Sequence, residues 1–138
     1  MSKYTLHKSV LKHIDTLKSE ELKTAVKDFI NYTPIDFVVI ESGGLRTAEL
    51  QNALFKKGYS QLDGYKYKSA HQSGLAVDIV PWVNNEPSWD IKHCTGLACA
   101  FASYLNLKGI KFVGGYDWNN DGILNESFYD PCHFEVES

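Results

Sequence analysis

The chain is poor in cysteine, proline and methionine, with three, four and one, and it has no excess of positive charge. Cys94, Cys99 and Cys132 cannot all pair within one chain and form no Cys-x-x-Cys motif, so neither a disulfide framework nor a thiolate metal cluster organises the fold. Free cysteine is commonly buried, and buried thiols are the expectation here. Lysine and arginine number 14 against 17 aspartates and glutamates, a net charge of −3 with histidine neutral. No basic field is available to gather nucleic acid by counterion release, so DNA and RNA are not expected partners. No apolar run is long enough to span a bilayer. The start, Met1-Ser2-Lys3-Tyr4, opens onto charged, histidine-containing sequence with no signal-peptide core. Cytoplasmic synthesis without export or membrane insertion is expected. Repeats, low-complexity tracts and linkers are lacking as well.

What is present is ordinary globular composition, 43% hydrophobic and 22% charged, over 138 residues. That length fits one domain, residues 1–138, able to bury a core without covalent staples. From Lys8 to Tyr32 apolar positions such as Leu22, Ala25, Val26, Phe29 and Ile30 recur at helical spacing. The helix is expected to break near Ser19, an N-cap followed by Glu20 and Glu21. His7 and His13 have no partners at ligand spacing and read as surface residues. Thr33-Pro34 closes this region, and Ile35 to Ile40 reads as a strand. Thr47 caps a helix over about Ala48 to Lys57, stopped by Gly58. Leu75 to Pro81 reads as one short strand with Ala76, Asp78 and Val80 on one face. A turn-rich connection leads to a helix from about Ile91 to Leu107, capped by Ser88 or Asp90, with His93 as a surface or packed residue. Ile110 to Val113 and a terminal segment bearing His133 and Glu135 on one face complete the strands. The expected fold is α+β, a short and mainly antiparallel sheet flanked by helices.

The most informative stretch is Ser69-Ala70-His71-Gln72-Ser73-Gly74-Leu75-Ala76-Val77-Asp78. An imidazole and a carboxylate stand seven residues apart around a glycine, and the carboxylate lies within an apolar strand. A carboxylate there is costly unless it is paired or bound to metal. A catalytic zinc takes three protein ligands and keeps a fourth position open. Asp130-Pro131-Cys132-His133-Phe134-Glu135 offers the missing ligand, which suggests a zinc site on the sheet held by His71, Asp78 and His133. Alternation points Cys132 away from the face of His133, so it is not counted as a fourth ligand.

Ser-x-His-x-x-Gly-x-Ala-x-Asp, met at Ser69, His71, Gly74, Ala76 and Asp78, resembles the signature of VanY-type zinc D-alanyl-D-alanine peptidases. Asp130, His133 and Glu135 resemble the second half of that family's site, and Gly44-Leu45-Arg46-Thr47 resembles its substrate-binding arginine motif. The order and spacing of these motifs are similar to those of tailed-phage endolysins that cut the L-alanyl-D-glutamate bond, and the resemblance covers nearly the whole chain. It implies a zinc peptidase of peptidoglycan stem peptides, with His71, Asp78 and His133 as ligands and Asp130 as general base. It also implies a monomer that reaches the bacterial wall after release by another protein. Arg46 would clamp a substrate carboxylate through bidentate guanidinium geometry, against the alternative of a structural ion pair. Asp130 has the alternative of a turn residue before Pro131. Glu135 is expected to orient a ligand. Ser69 would bond substrate or the motif backbone, since no base beside it would make it a nucleophile.

Two other functions stay open. A D-alanyl-D-alanine carboxypeptidase or dipeptidase would use the same metal and base, and a metal-bearing binding module would need no base at all. Finally, Asp117, Asn119 and Asp121 precede Gly122 at the spacing of a calcium loop, with Ile123 and Glu126 as further donors. Phe128 occupies the place of the usual closing acid, and a set of Asx turns would need no ion. Calcium is the second cofactor considered, as the resemblance extends to relatives with an acidic, calcium-responsive loop here.

Overall fold

Periodicity, caps and turn residues place most of the elements in the computed structural model, which describes residues 3–123, 126 and 128–137. Met1, Ser2 and parts of the Asx-rich loop, Leu124, Asn125 and Ser127, lie outside the described residues. Helices α1 (Lys8–Ile14) and α2 (Glu20–Phe29) are separated where Ser19 accepts a hydrogen bond from Leu22 N, the expected cap. His7 is exposed and His13 half-buried beside them. Helix α3 (Ala48–Lys56) begins where Thr47 accepts from Leu50 N. Of the two candidates for the cap of α4 (Ile91–Leu107), Asp90 takes the role by accepting from Lys92 N. Ser88 instead bonds His93 Nδ1 through its hydroxyl at 2.7 Å.

Two three-stranded sheets are built from antiparallel pairs: β1 (Phe37–Val38), β3 (Val80–Val83) and β4 (Glu86–Pro87) in one, and β2 (Ala76–Asp78), β6 (His133–Glu135) and β5 (Val113–Gly114) in the other. The architecture is α+β, as expected. The run Leu75 to Pro81 is not one strand: the chain pairs with β6 up to Asp78 and then joins β1 and β4 from Val80 onward. Period-two alternation cannot distinguish one strand from two that change sheets at Ile79. The connection after Trp82 is a hairpin, with Asn84 and Asn85 at φ of 52° and 66°. Two left-handed residues match the twist of a two-residue hairpin turn, and asparagine tolerates that conformation. The runs at 35–40 and 110–113 are longer than the paired segments Phe37–Val38 and Val113–Gly114.

The core lies between α2, α4 and the inward faces of the strands. Phe29 packs on Phe37 and Phe101 with ring centroids 5.6 and 4.9 Å apart, and Phe101 meets Phe134 edge-on at 4.8 Å. Phe134 is fully buried. Strand alternation therefore commits β6: Phe134 anchors it in the core, and its neighbours His133 and Glu135 face the other way. Leu97, Ala98, Phe101, Ala102 and Leu105 form the buried stripe of α4, while Cys99 on the same helix is exposed. The expectation of buried thiols holds for Cys94 and Cys132, which pack with Val80, but not for Cys99, which the helical period carries to the solvent side. Among the described residues no helix is long and apolar enough to cross a membrane.

Candidate active site

On the face of β2 and β6 opposite the core, Asp78 is the register partner of His133. Ile79 N donates to Cys132 O at 3.0 Å, the next backbone bond along this ladder. The Asp78–His133 pair itself is thus of the non-hydrogen-bonded kind, in which side chains approach most closely. His133 spends its backbone elsewhere, its N donating to Asp130 O and its O accepting from Gly115 N.

His71 arrives from a 3-10 turn, Ala70–Ser73, just before β2. Ser69 and Gln72 form a capping box on this turn: Ser69 Oγ accepts from His71 N, and Gln72 Oε1 accepts from Ser69 N. Gly74 ends the turn at φ 70°, with its carbonyl accepting from Lys18 N and Ser19 N. A Cβ at Gly74 would lie 2.6 Å from Lys18 N, so a glycine is required by both conformation and space. The capping box and the glycine turn fix the direction of an imidazole that is 1% exposed.

The three side chains converge. His71 Nε2 lies 3.1 Å from Asp78 Oδ1 and 3.1 Å from His133 Nδ1, and His133 Nδ1 lies 3.2 Å from Asp78 Oδ1. Ligand atoms on a tetrahedral ion with bonds of about 2.0–2.1 Å stand about 3.3 Å apart, so this triangle fits a zinc-sized cation within a few tenths of an ångström. The far nitrogen of each ring is tied back: His71 Nδ1 donates to Gly44 O at 3.0 Å, and His133 Nε2 to Glu135 Oε1 at 2.8 Å. Those bonds select the tautomers whose lone pairs point into the triangle. Cys132 is not part of this group of donors.

Burial would raise the Asp78 carboxyl, but the charges and hydrogen bonds of His71 and His133 outweigh it and hold the group far below the usual carboxylate range. Burial likewise lowers His133, yet its bonds to Asp78 and Glu135 leave it raised to about 9. Glu135 is lowered by its bond to His133.

Arg46, the only arginine of the chain, sits against the other oxygen of Asp78, its Nη2 donating to Oδ2 at 3.0 Å. Its Nε donates to Ser42 O and its Nη1 to Gln51 Oε1. Arg46 thus forms the ion pair with Asp78, and three of its five guanidinium donors are engaged by protein.

Asp130 stands at the edge of the same cleft. Its backbone N donates to Gly115 O at 2.8 Å. A Cβ on Gly115 would come within 2.0 Å of Asp130 O, so only glycine permits this approach. Burial, together with the charge of Asp78, raises the Asp130 carboxyl to about 6. A raised acid beside a depressed one in a cleft is the arrangement expected of a proton-transferring pair of sites.

The cleft encloses about 990 Å³, with Arg46, Ser69, His71, Asp78, Asp130 and His133 on its floor and walls. Tyr59, Leu62, Trp89, Trp118 and Phe128 supply apolar surface. Trp118 packs its ring 4.9 Å from that of His133. Beside it, Asp117, Asp121 and Glu126 bring oxygens within 4.8 Å of one another. Asx bonds shape this loop: Asp117 accepts from Asp121 N and Gly122 N, Asn119 from Asp121 N, and Asp121 from Ile123 N. Glu126 Oε1 is buried without a hydrogen-bond partner among the described residues.

Two residues that sequence reasoning passed over now stand at the site. Gln51 is wholly buried on α3 and joins Arg46 to the Ser60–Leu62 wall. Gly115 carries Asp130. Gln51 left a faint signal, a polar residue at a core-facing helix position; Gly115, just beyond the strand run at 110–113, carried none of its own.

Residues 1–137 match the family model described as phage L-alanyl-D-glutamate peptidase. An L-alanyl-D-glutamate peptidase of Escherichia phage T5 is 30% identical over 130 residues, covering 91% of this chain and 92% of that protein. The crystal structure of the L-Ala D-Glu endopeptidase ChiX of Serratia marcescens superposes with a TM-score of 0.74 at 23% identity, over 94% of this chain and 87% of that one. This last similarity is one of fold.

Proposed function

The chain belongs to the phage L-alanyl-D-glutamate peptidase family, and from that premise we propose that residues 1–138 act as a single zinc peptidase domain that hydrolyses the L-alanyl-D-glutamate bond of peptidoglycan stem peptides. The observation that carries this reading is the triangle of His71 Nε2, Asp78 Oδ1 and His133 Nδ1, with both far ring nitrogens tied back. Two neutral imidazoles and one carboxylate on a divalent ion leave one positive charge. Zinc so held supplies a Lewis acid that brings the pKa of water towards ~7.

The chain's own residues do the rest. Asp130 accepts the proton of the attacking water on its carboxylate and passes it to the leaving amine. Glu135 holds the His133 ring, and Gly44 O holds the His71 ring. Arg46 fixes Asp78 and presents its two unused N–H donors to a substrate carboxylate or to the developing oxyanion. Ser69 serves the backbone of the His71 turn from the cleft wall. Tyr59, Leu62 and Trp89 give the peptide an apolar wall. The enzyme acts as a monomer on the bacterial wall.

Calcium at Asp117, Asn119, Asp121, Glu126 and the Ile123 carbonyl is a second part of the proposal. Glu126 Oε1, buried with no partner among the described residues and close to the oxygens of two aspartates, favours it. An ion there would order the segment that leads into Asp130.

Digestion of defined muropeptides with and without a zinc chelator, followed by mass spectrometry, tests the reading. Release of L-alanine-terminated glycan and a D-glutamate-terminated peptide is expected. Loss of a single C-terminal D-alanine would replace it with the carboxypeptidase alternative, and no cleavage at all would leave a metal-bearing binding module.

A further inference from the structure

Gln51 makes three hydrogen bonds with a buried amide. It is 0% exposed, its Oε1 accepts from Arg46 Nη1 at 2.9 Å, and its Nε2 donates to Ser60 Oγ at 2.8 Å and Leu62 O at 2.9 Å. Arg46 in turn donates to Asp78 Oδ2. Ser60 and Leu62 line the cleft, although Gln51 itself does not. A continuous line of hydrogen bonds therefore runs from the substrate wall, through Gln51 and Arg46, to the carboxylate of the metal triangle.

Neighbouring amides make the comparison sharp. Asn52 Nδ2 holds Asp63 O at 2.9 Å, and Gln72 Nε2 holds Gly64 O at 2.9 Å. Both fasten the same loop without touching Arg46. Only Gln51 joins the loop to the guanidinium, and it does so with a partner on every polar atom. An amide is required because the position must accept on one side and donate twice on the other.

We propose that Gln51 is a positioning residue that sets the orientation of Arg46, and through it of Asp78, while fixing the Ser60–Leu62 wall against which the substrate lies. This rests on the peptidase reading above. Its mechanical part, the hold on Asp78, can be read without any substrate.

The test compares three variants of the whole chain. Gln51→Glu keeps an oxygen for Arg46 but sets a second oxygen against the Leu62 carbonyl. Gln51→Met keeps the volume and removes every bond. Asn52→Ala loosens the same loop and leaves Arg46 alone. Zinc affinity is measured by competition with a chromophoric chelator, and kcat and KM on a defined muropeptide. In Gln51→Met, zinc affinity falls by about 10-fold, the low end of the range for direct partners of metal ligands because Gln51 acts through Arg46, and kcat falls with it. In Gln51→Glu, KM rises while zinc affinity and kcat stay within about threefold of the parent. In Asn52→Ala, zinc affinity does not change. A Gln51→Met protein with parental zinc affinity and kcat would overturn the proposal, as would an equal loss of zinc in Asn52→Ala. Should Gln51→Met fail to fold, Gln51→Asn, one methylene shorter and drawn back from Arg46, is combined with Arg46→Lys in a double-mutant cycle on zinc affinity, and strict additivity would refute the proposal. If the parent cuts no muropeptide, the zinc measurements still decide the point.

Discussion

Asp78 and His133 face each other across the β2–β6 pair, so two of three candidate ligands are aligned by sheet register alone. The third, His71, comes from a short turn that Ser69, Gln72 and Gly74 make rigid. A site built this way needs little from the metal to assemble it, because the core side of the same strand pair is held by Val77 and Phe134, themselves register partners and fully buried.

Glu135 is the least protected support of that site, and its removal separates orientation from ligation. Glu135→Ala leaves three donors but frees the His133 ring to turn. Zinc affinity is expected to fall about 10- to 100-fold, as for other lost partners of metal ligands. His133→Ala, in contrast, loses both stoichiometric zinc and cleavage. Metal content after dialysis distinguishes the two, and a Glu135→Ala protein with unchanged affinity would remove Glu135 from the site.

The prominent motifs were legible because they are local. Ser69 to Asp78 fits within ten residues and carries its own cap, glycine and strand, so the whole pattern could be matched to a family signature although the His71–Asp78 spacing by itself is weak. The caps at Ser19, Thr47 and Asp90 are equally local. What sequence did not reveal is long-range: the change of sheet at Ile79 depends on which strand lies alongside, and the role of Gln51 depends on a loop 9 to 11 residues away. Arg46 was recognised as a site residue, but its 32-residue reach to Asp78 has no periodicity to betray it.

Asp130 has a folded pKa of about 6 against an ordinary 3.8, raised by burial and by Asp78. As the proposed base it must be ionised, so kcat/KM should rise about tenfold per pH unit on an acid limb ending no higher than about pH 6, since a bound cation can only pull the value down. Asp130→Asn should retain zinc and lose about 100- to 10,000-fold in kcat. Full activity in that variant would sink the mechanism.

The same shift makes a stability prediction of definite sign. A carboxyl raised by folding stabilises the fold below the unfolded pKa of 3.8, and that contribution is lost as pH rises through about 6. In chelated protein, Asp130→Asn should therefore be more stable than the parent at pH 8, by about 1–3 kcal/mol, and no more stable at pH 3. Urea unfolding at the two pH values measures it. Equal stabilities at pH 8 would show that burial does not penalise this carboxylate.

Gly115 connects the strand to the base. A methyl group there would strike Asp130 O, so Gly115→Ala must push the Asp130 backbone away from its bond to Gly115. His133 shares those backbone bonds, accepting from Gly115 N and donating to Asp130 O, but the buried Phe134 beside it and the Ile79 N to Cys132 O bond keep its strand in register, so it is less disturbed. The expected phenotype is loss of kcat with zinc affinity nearly intact, resembling Asp130→Asn rather than His133→Ala. A variant that lost zinc first would mean that Gly115 supports the ligand strand and not the base.

Calcium, if it binds at Asp117, Asp121 and Glu126, should act through Asp130 and not through zinc. Millimolar calcium is then expected to raise the melting temperature and kcat over protein in EGTA, with zinc content unchanged. Glu126→Gln keeps the size of the half-buried side chain and removes the charge that a cation needs, so it should abolish the response while leaving activity in EGTA at the parental level. A parent protein indifferent to calcium would reduce the loop to its Asx turns, which hold Asp117, Asn119 and Asp121 in place without any ion.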